Sequence, residues 1–282
     1  MEFYLHKGKI TSYEDFNPRD EWLGYSSQWS VKMWFAHGEI PFFSKYLDLI
    51  NQYFGEHDRD YRIAEGEKAE MHRMILRLIN KNKAYMGGWV ILTVFEGITD
   101  WKYIVRIQKY PDRLIPFEET GILANLSTEK IRNGKKPTTS LINSGTMIDL
   151  EILKLAGSRY GDSIFCNEEG AIVATTSGNL FAVENDIIHT PALESGCNND
   201  HFRQLVISAC EILKLKVVER EDMDPGTLSK MDEVFSVSEK TGFRWILGVG
   251  IKRFVKRKSE NIRETTDQLL WITRRKTGGG RY

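Results

Sequence analysis

The run from Gly161 to Gln204, GDSIFCNEEGAIVATTSGNLFAVENDIIHTPALESGCNNDHFRQ, constrains the fold more than any other part of the chain. Short apolar runs alternate there with turn-forming clusters, Asn167-Glu168-Glu169-Gly170 and Glu184-Asn185-Asp186, a spacing that reads as three short strands joined by hairpins. Asp200 then precedes Phe202, Leu205, Val206, Ala209 and Leu213, an apolar stripe at helical spacing. Aspartate is a preferred helix cap because its carboxylate accepts an amide hydrogen that the first turn leaves free. Strands feeding a capped helix in this order belong to an α/β domain.

The flanking sequence has the same mixed character. Upstream, Phe3 to Ile10 and Tyr25 to Phe35 read as strands, Phe42 to Phe54 and Glu65 to Asn82 as amphipathic helices, and Trp89 to Phe95 with Trp101 to Gln108 as a hairpin. Ser144 or Thr146 is placed to cap a helix reaching about Ala156, with Met147, Leu150, Leu153 and Ala156 facing inward. Downstream, Lys216 to Glu219, Glu233 to Ser238 and Trp245 to Ile251 read as strands. Asp224-Pro225 reads as a helix start, Lys252 to Lys258 as a basic ribbon, and Ile262 to Ile272 as a last amphipathic helix. The stretch Pro111 to Gly121 has the composition of a connection. The expected organisation is therefore a small α/β domain over 1–114, a linker over 115–127, a large α/β domain over 128–275 and a flexible tail over 276–282.

Composition narrows the function classes. With 41% hydrophobic and 28% charged residues and a formal net charge of zero, the chain reads as a soluble globular protein with no bulk attraction to nucleic acid or an anionic membrane. Its longest apolar run, Trp89 to Phe95, is too short to cross a bilayer, and MEFYLHKGKIT does not read as a signal peptide, so a cytoplasmic location is expected. Cys166, Cys197 and Cys210 are odd in number and lack metal-ligand spacing, and the six histidines form no ligand pair. No metal site is expected. The ribbon Lys252 to Lys258 reads as a solvated hairpin rather than a nucleic-acid surface.

The order of elements and the wording of Gly161 to Gln204 resemble the fold-type IV pyridoxal-phosphate (PLP) enzymes, also known as class-IV aminotransferases. This family contains the branched-chain and D-amino acid aminotransferases and aminodeoxychorismate lyase. The resemblance rests on the Asn167-to-Gly170 turn, Asn179-Leu180-Phe181, Thr190-Pro191, Ser195-Gly196 and Arg203, and then on Val217-Val218-Glu219-Arg220 and Met231-Asp232-Glu233-Val234-Phe235. It is strongest from 161 to 236, and Phe3 to Gly8 and Asp20 to Tyr25 match more loosely. It implies a two-domain α/β fold of the D-amino acid aminotransferase-like type and a homodimer with a pocket between its domains.

Family members use a lysine amine for the Schiff base, a carboxylate against the pyridinium nitrogen, and amide and hydroxyl donors around the phosphate. The positions to which the resemblance carries these roles hold other residues. Three before Asn143, the place of the lysine holds Ser140, flanked by Thr139 and Leu141, and none of these forms an imine. Five before the Asn-Leu-Phe strand, the place of the carboxylate holds Ala174. The phosphate triplet is Asp200, His201 and Phe202, with an acid where a helix dipole otherwise favours phosphate. The second phosphate loop aligns with Ser238-Glu239-Lys240, a further carboxylate, and the amino-terminal phosphate arginine falls at Leu49 or its neighbours. The expectation is a divergent relative without PLP transamination, holding no cofactor and acting as a small-ligand-binding or scaffold protein.

Two other readings stand beside it. One is an active PLP-dependent aminotransferase or lyase whose amine comes from another lysine; Lys135, Lys136 and Lys154 read as exposed, and Lys240 at a strand end is the first candidate. The other is a PLP-independent enzyme using Asp200, His201 and Glu239, in which histidine beside a carboxylate acts as a base. In the implied fold Trp29, Asn143, Arg203, Thr241, Arg244 and Trp245 border the same cleft. Trp29, Trp245 and Phe202 either bind a flat ligand or fill the space the cofactor left, and filling is expected because empty apolar volume is costly.

Overall fold

The computed structural model describes residues 2–6, 8–15, 27–97, 100–131 and 145–277. The chain divides into two compact units, Met1–Leu114 and Ile115–Tyr282.

The first unit is built on one antiparallel sheet in the order β2-β1-β5-β4-β3, from β1 (Phe3–His6), β2 (Lys9–Ser12), β3 (Ser27–Ala36), β4 (Gly87–Glu96) and β5 (Trp101–Tyr110). The apolar run Trp89 to Phe95 is explained by β4, which is paired on both sides and buried along nearly its whole length. Helix α1 (Phe43–Glu56) buries Phe43, Tyr46, Leu47, Ile50, Tyr53 and Phe54, and α2 (Glu65–Lys81) buries Met71, Ile75, Leu78 and Ile79. These are the faces their periodicity predicts. Phe3 to Ile10 is two strands rather than one, because Gly8 takes φ +73° and reverses the chain.

The second unit carries a larger mixed sheet, ordered β11-β10-β9-β12-β13-β6-β7-β8 with β14 added on β13. Its strands are β6 (Phe117–Ile131), β7 (Asp162–Asn167), β8 (Ile172–Thr175), β9 (Asn179–Glu184), β10 (Ile187–Pro191), β11 (Lys216–Arg220), β12 (Glu233–Ser238), β13 (Gly242–Val249) and β14 (Lys252–Arg253). Its helices are α3 (Gly145–Leu155), α4 (His201–Ile212) and α5 (Ser259–Thr277), and α4 packs on α5. A core of Ile164, Leu180, Ala182, Val234, Ile246 and Phe254 draws on the strands and the end of the ribbon.

Several expectations are corrected here. Most of 115–127 is not a linker but part of β6, which pairs in parallel with β13 and β7. Its proline and glycine mark a strand start and a bulge: the register shifts beside Gly121, which takes φ +74° with the Trp245 ring where a side chain would begin. The segment after Asn167 contains one more strand break than expected, at Thr175–Gly178. Asp224-Pro225 leads only into the 3-10 turn Thr227–Lys230, with the Asp224 carboxylate spent on the Thr227 amide and hydroxyl at 2.7 and 2.8 Å. Helix α3 does not face inward through Leu150, Leu153 and Ala156; Leu150 and Leu153 are 54% and 68% exposed, Ala156 is also exposed, and the buried residue is Glu151. The last helix runs through 277, past the expected start of the tail, and 278–282 lie outside the described residues. Nor is the basic ribbon simply solvated: buried Glu233 accepts the Arg257, Lys258 and Ser259 amides at 3.0, 2.7 and 3.2 Å, and Lys258 pairs with Asp186 at 2.8 Å.

Candidate functional site

The polar groups singled out by sequence gather around the amino terminus of α4 and the turn before β9. Asp200 caps α4: one carboxylate oxygen accepts the Arg203 amide at 2.7 Å and the other accepts Asn179 Nδ2 at 2.9 Å. One side chain thus satisfies a free helix amide and ties α4 to β9. Burial pushes the Asp200 carboxyl up to about 6, against the lowering effect of the Arg203 and Phe202 amides and the Arg203 and Lys240 charges. Its solvent access is only partial.

The neighbouring turn is held as firmly. Thr175 Oγ1 accepts the Ser177 and Gly178 amides at 3.1 and 3.2 Å. Gly178, at φ +148°, passes so close to Val237 that a β-carbon would lie 2.3 Å from its carbonyl oxygen, so glycine is required. The Ser177 carbonyl accepts the Thr241 hydroxyl at 3.1 Å. Arg244 Nη1 donates to the Ser177 hydroxyl and to the Gly161 carbonyl, the latter at 3.2 Å. Ser238 and Thr241 hydroxyls lie 3.0 Å apart. The loop after β12 and the turn before β9 therefore form one hydrogen-bonded edge.

The family resemblance places the PLP phosphate at this helix terminus. The amides that would receive a phosphate already face the Asp200 carboxylate, and a dianion placed there meets a like charge. Ala174, the position to which the resemblance carries the ring carboxylate, is buried with Val173 and Cys197, and Ile131 and Leu193 pack against them. Ser140 and Asn143 lie outside the described residues, as do Thr139, Leu141, Lys135 and Lys136.

The remaining candidates separate into distinct roles. Arg203 is 1% exposed and donates through Nη2 to the Pro191 carbonyl at 3.0 Å and to Glu219 at 2.7 Å, so it braces α4 against β10 and β11. Phe202 is fully buried. Lys240 is exposed rather than buried, and its charge acts on Asp200. Lys154 is exposed and pairs with Glu129 and Glu151 at 3.1 and 3.3 Å. His201 is half-buried on the first turn of α4, and Glu239 is buried just after β12. Trp245 is half-buried against Gly121. Trp29 is committed within the first unit: its indole N–H donates to Glu96, and its ring packs on Tyr53 and Phe54 at 4.9 and 6.3 Å.

Sequence reasoning missed a buried polar core in the second unit. Asp162 is fully buried and accepts the Ser163 amide at 2.9 Å, the Thr176 hydroxyl, and the Ser236 hydroxyl at 3.4 Å. The Ser163 hydroxyl lies 2.8 Å from Glu151 Oε1 and also bonds Asn125 Oδ1, so one proton serves two acceptors. The available signal was an aspartate opening the buried strand Asp162–Asn167 and a glutamate set among leucines in α3. All three cysteines are free and buried, and burial pushes Cys197 and Cys210 up to about 11 and 12, leaving inert thiols. No cluster of His, Cys, Asp or Glu suited to a metal occurs among the described residues.

Residues 67–246 match the family model described as amino-transferase class IV. Similar solved structures include a branched-chain amino acid aminotransferase from Thermobaculum terrenum in its PLP form, at 15% identity and TM-score 0.78, covering 96% of this chain and 94% of that one. A hypothetical aminotransferase from Mycobacterium tuberculosis, bound to α-ketoglutarate and PMP, matches at 13% identity and TM-score 0.79, covering 96% and 100%. A putative 4-amino-4-deoxychorismate lyase from Legionella pneumophila matches at 18% identity and TM-score 0.68, covering 88% and 90%. No curated protein sequence matches.

Proposed function

Because this chain belongs to the amino-transferase class IV family, we propose that it keeps the family's fold without PLP chemistry and serves as a small-ligand-binding or scaffold protein. The observation that carries this reading is Asp200. The carboxylate that caps α4 takes the amides a phosphate would need. Ala174 in its apolar cluster supports the same reading, since PLP acts as an electron sink only when an acid holds its ring nitrogen protonated. Ser140 in place of the lysine removes the nucleophile, and covalent catalysis cannot proceed without one. The burial of Phe202 and Ala174 favours a refilled site over an open one. Purified protein mixed with PLP is expected to show only the spectrum of free PLP, with no new band between about 330 and 430 nm, where an imine absorbs. A saturable band in that range would restore the PLP-enzyme reading.

Assembly follows from the same proposal. Leu150, Ile152 and Leu153 are exposed on α3, an apolar face of the kind that marks interaction sites on soluble proteins. We take its occupant to be a second copy of this chain, as the family resemblance implies. Light scattering is expected to give the mass of a dimer, and Leu150→Glu with Leu153→Glu to give the mass of a monomer. A wild-type mass equal to one chain at all concentrations would contradict the homodimer. No helix among the described residues is long and apolar enough to cross a membrane. The three buried thiols are consistent with the proposed cytoplasmic location, where thiols stay reduced.

A further inference from the structure

The second unit carries a groove of about 400 Å³ that the cofactor question does not touch, lined by Leu126, Leu228, Val249, Ile251, Lys252 and Phe254 among others. Leu228 and Phe254 form its buried floor, while Leu126 is 43% exposed and Ile251 is fully exposed. The position of Ile251 is unusual. It stands at the tip of the two-residue loop between β13 and β14, beside Gly250 at φ +58°. Such loops are normally filled by glycine, asparagine, aspartate or serine, so a bare β-branched side chain there has no local structural use.

Charge supplies the second observation. Lys252 lies in the lining, and exposed Arg253 stands next to it. Lys252 stands 5.8 Å from the Phe254 ring centroid, and Arg253 Nη1 reaches only the Gly250 and Lys252 carbonyls. Among the described residues neither forms an ion pair, whereas Lys256 and Lys258 of the same ribbon pair with Glu260 and Asp186. Asp224, beside the lining residue Pro225, remains an anion but hydrogen-bonds Thr227 and makes no ion pair with Lys252 or Arg253. An apolar trough with two uncompensated cations at its lip complements a segment that is itself apolar and acidic.

We infer that this groove is a docking site for a protein segment in which leucine-like anchors are interleaved with aspartate or glutamate. Ile251, Leu126 and the trough hold the anchors, and Lys252 and Arg253 hold the carboxylates. This surface is independent of the proposed loss of PLP chemistry. The test is selection of a random displayed peptide library on the full chain, with counter-selection on Ile251→Ser/Lys252→Glu. Ile251 is fully exposed, so its replacement leaves the core intact, which a thermal melt verifies. Enriched peptides are expected to combine acidic and large apolar residues. In fluorescence anisotropy, one of them is expected to bind Ile251→Ser and Lys252→Glu each about ten-fold more weakly. Peptides that lack acids, or that bind the double variant equally well, would overturn the inference. A single-stranded oligonucleotide binding as tightly as the best peptide would make this a phosphate surface instead. Self-association abolished by Ile251→Ser would give the groove to a second copy of the chain.

Discussion

Phe202→Ala is expected to lower the unfolding free energy by about 3–5 kcal/mol, the range found when a buried aromatic is truncated. Phe202 is 1% exposed and opens the buried face of α4 that continues through Val206, Ala209 and Cys210. The resemblance assigns its position to the phosphate cup, where a side chain of this bulk has no use in holding an anion. A refilled site behaves as core, so the loss appears in chemical denaturation at every ligand concentration. If Phe202 instead borders an open binding cleft, the variant keeps its stability within about 1 kcal/mol and the structural part of the account fails.

Asp200→Asn is expected to remove a pH dependence. Burial raises this carboxyl to about 6 in the folded chain, above its ordinary 3.8, so between those values the folded state holds more protons than the unfolded state. The contribution of Asp200 to stability is therefore most favourable below about pH 4 and is lost as pH rises through about 6. The rise from 3.8 to about 6 corresponds to at most about 3 kcal/mol. Asparagine caps a helix as well as aspartate and carries no charge to desolvate. The variant should gain on the wild type as pH rises from 4 to 7, by up to about 3 kcal/mol in urea titrations. Parallel curves for the two proteins would mean that Asp200 is well solvated and that the phosphate seat is not closed by a buried carboxylate.

Much of the fold was legible because its signals are local. The apolar stripes of α1 and α2, the hairpin of β4 and β5, and the Asp200 cap each depend on residues within a few positions of one another. What misled was long-range. On α3 the side chain that faces the sheet is Glu151, bonded to Ser163 on β7, while Leu150 and Leu153 are exposed. Gly121 reads as a connection until Trp245, far along the chain, is seen to lie across it. Asp224 and Pro225 carry a helix-start signal, yet the chain re-enters the sheet at Glu233 after a single turn.

The candidate site divides in the same way. Asp200 was readable as a helix cap from the apolar stripe that follows it, and it does cap α4; the cofactor roles of its position and of Ala174 rest on the family resemblance alone. The burial of Arg203 between Pro191 and Glu219 was not readable, because its partners come from β10 and β11. Nor was the Asp162 core, whose Thr176 and Ser236 partners lie on separate strands and turns. Lys240 shows the limit of a local argument: a lysine at a strand end beside acids suggests a buried amine, but the side chain is exposed.

The most direct test of the central claim is peptide mass mapping after the full chain has been incubated with excess PLP and reduced with borohydride. Reduction traps any imine on the lysine that formed it, independently of how weak the absorption band is. On the proposed loss of nucleophile, ring acid and phosphate seat, the prediction is scattered, substoichiometric labelling of exposed lysines that inorganic phosphate does not alter. A single lysine labelled stoichiometrically, with Lys240 the first to inspect, and protected by a competing amino acid would contradict the account and make this chain a working PLP enzyme.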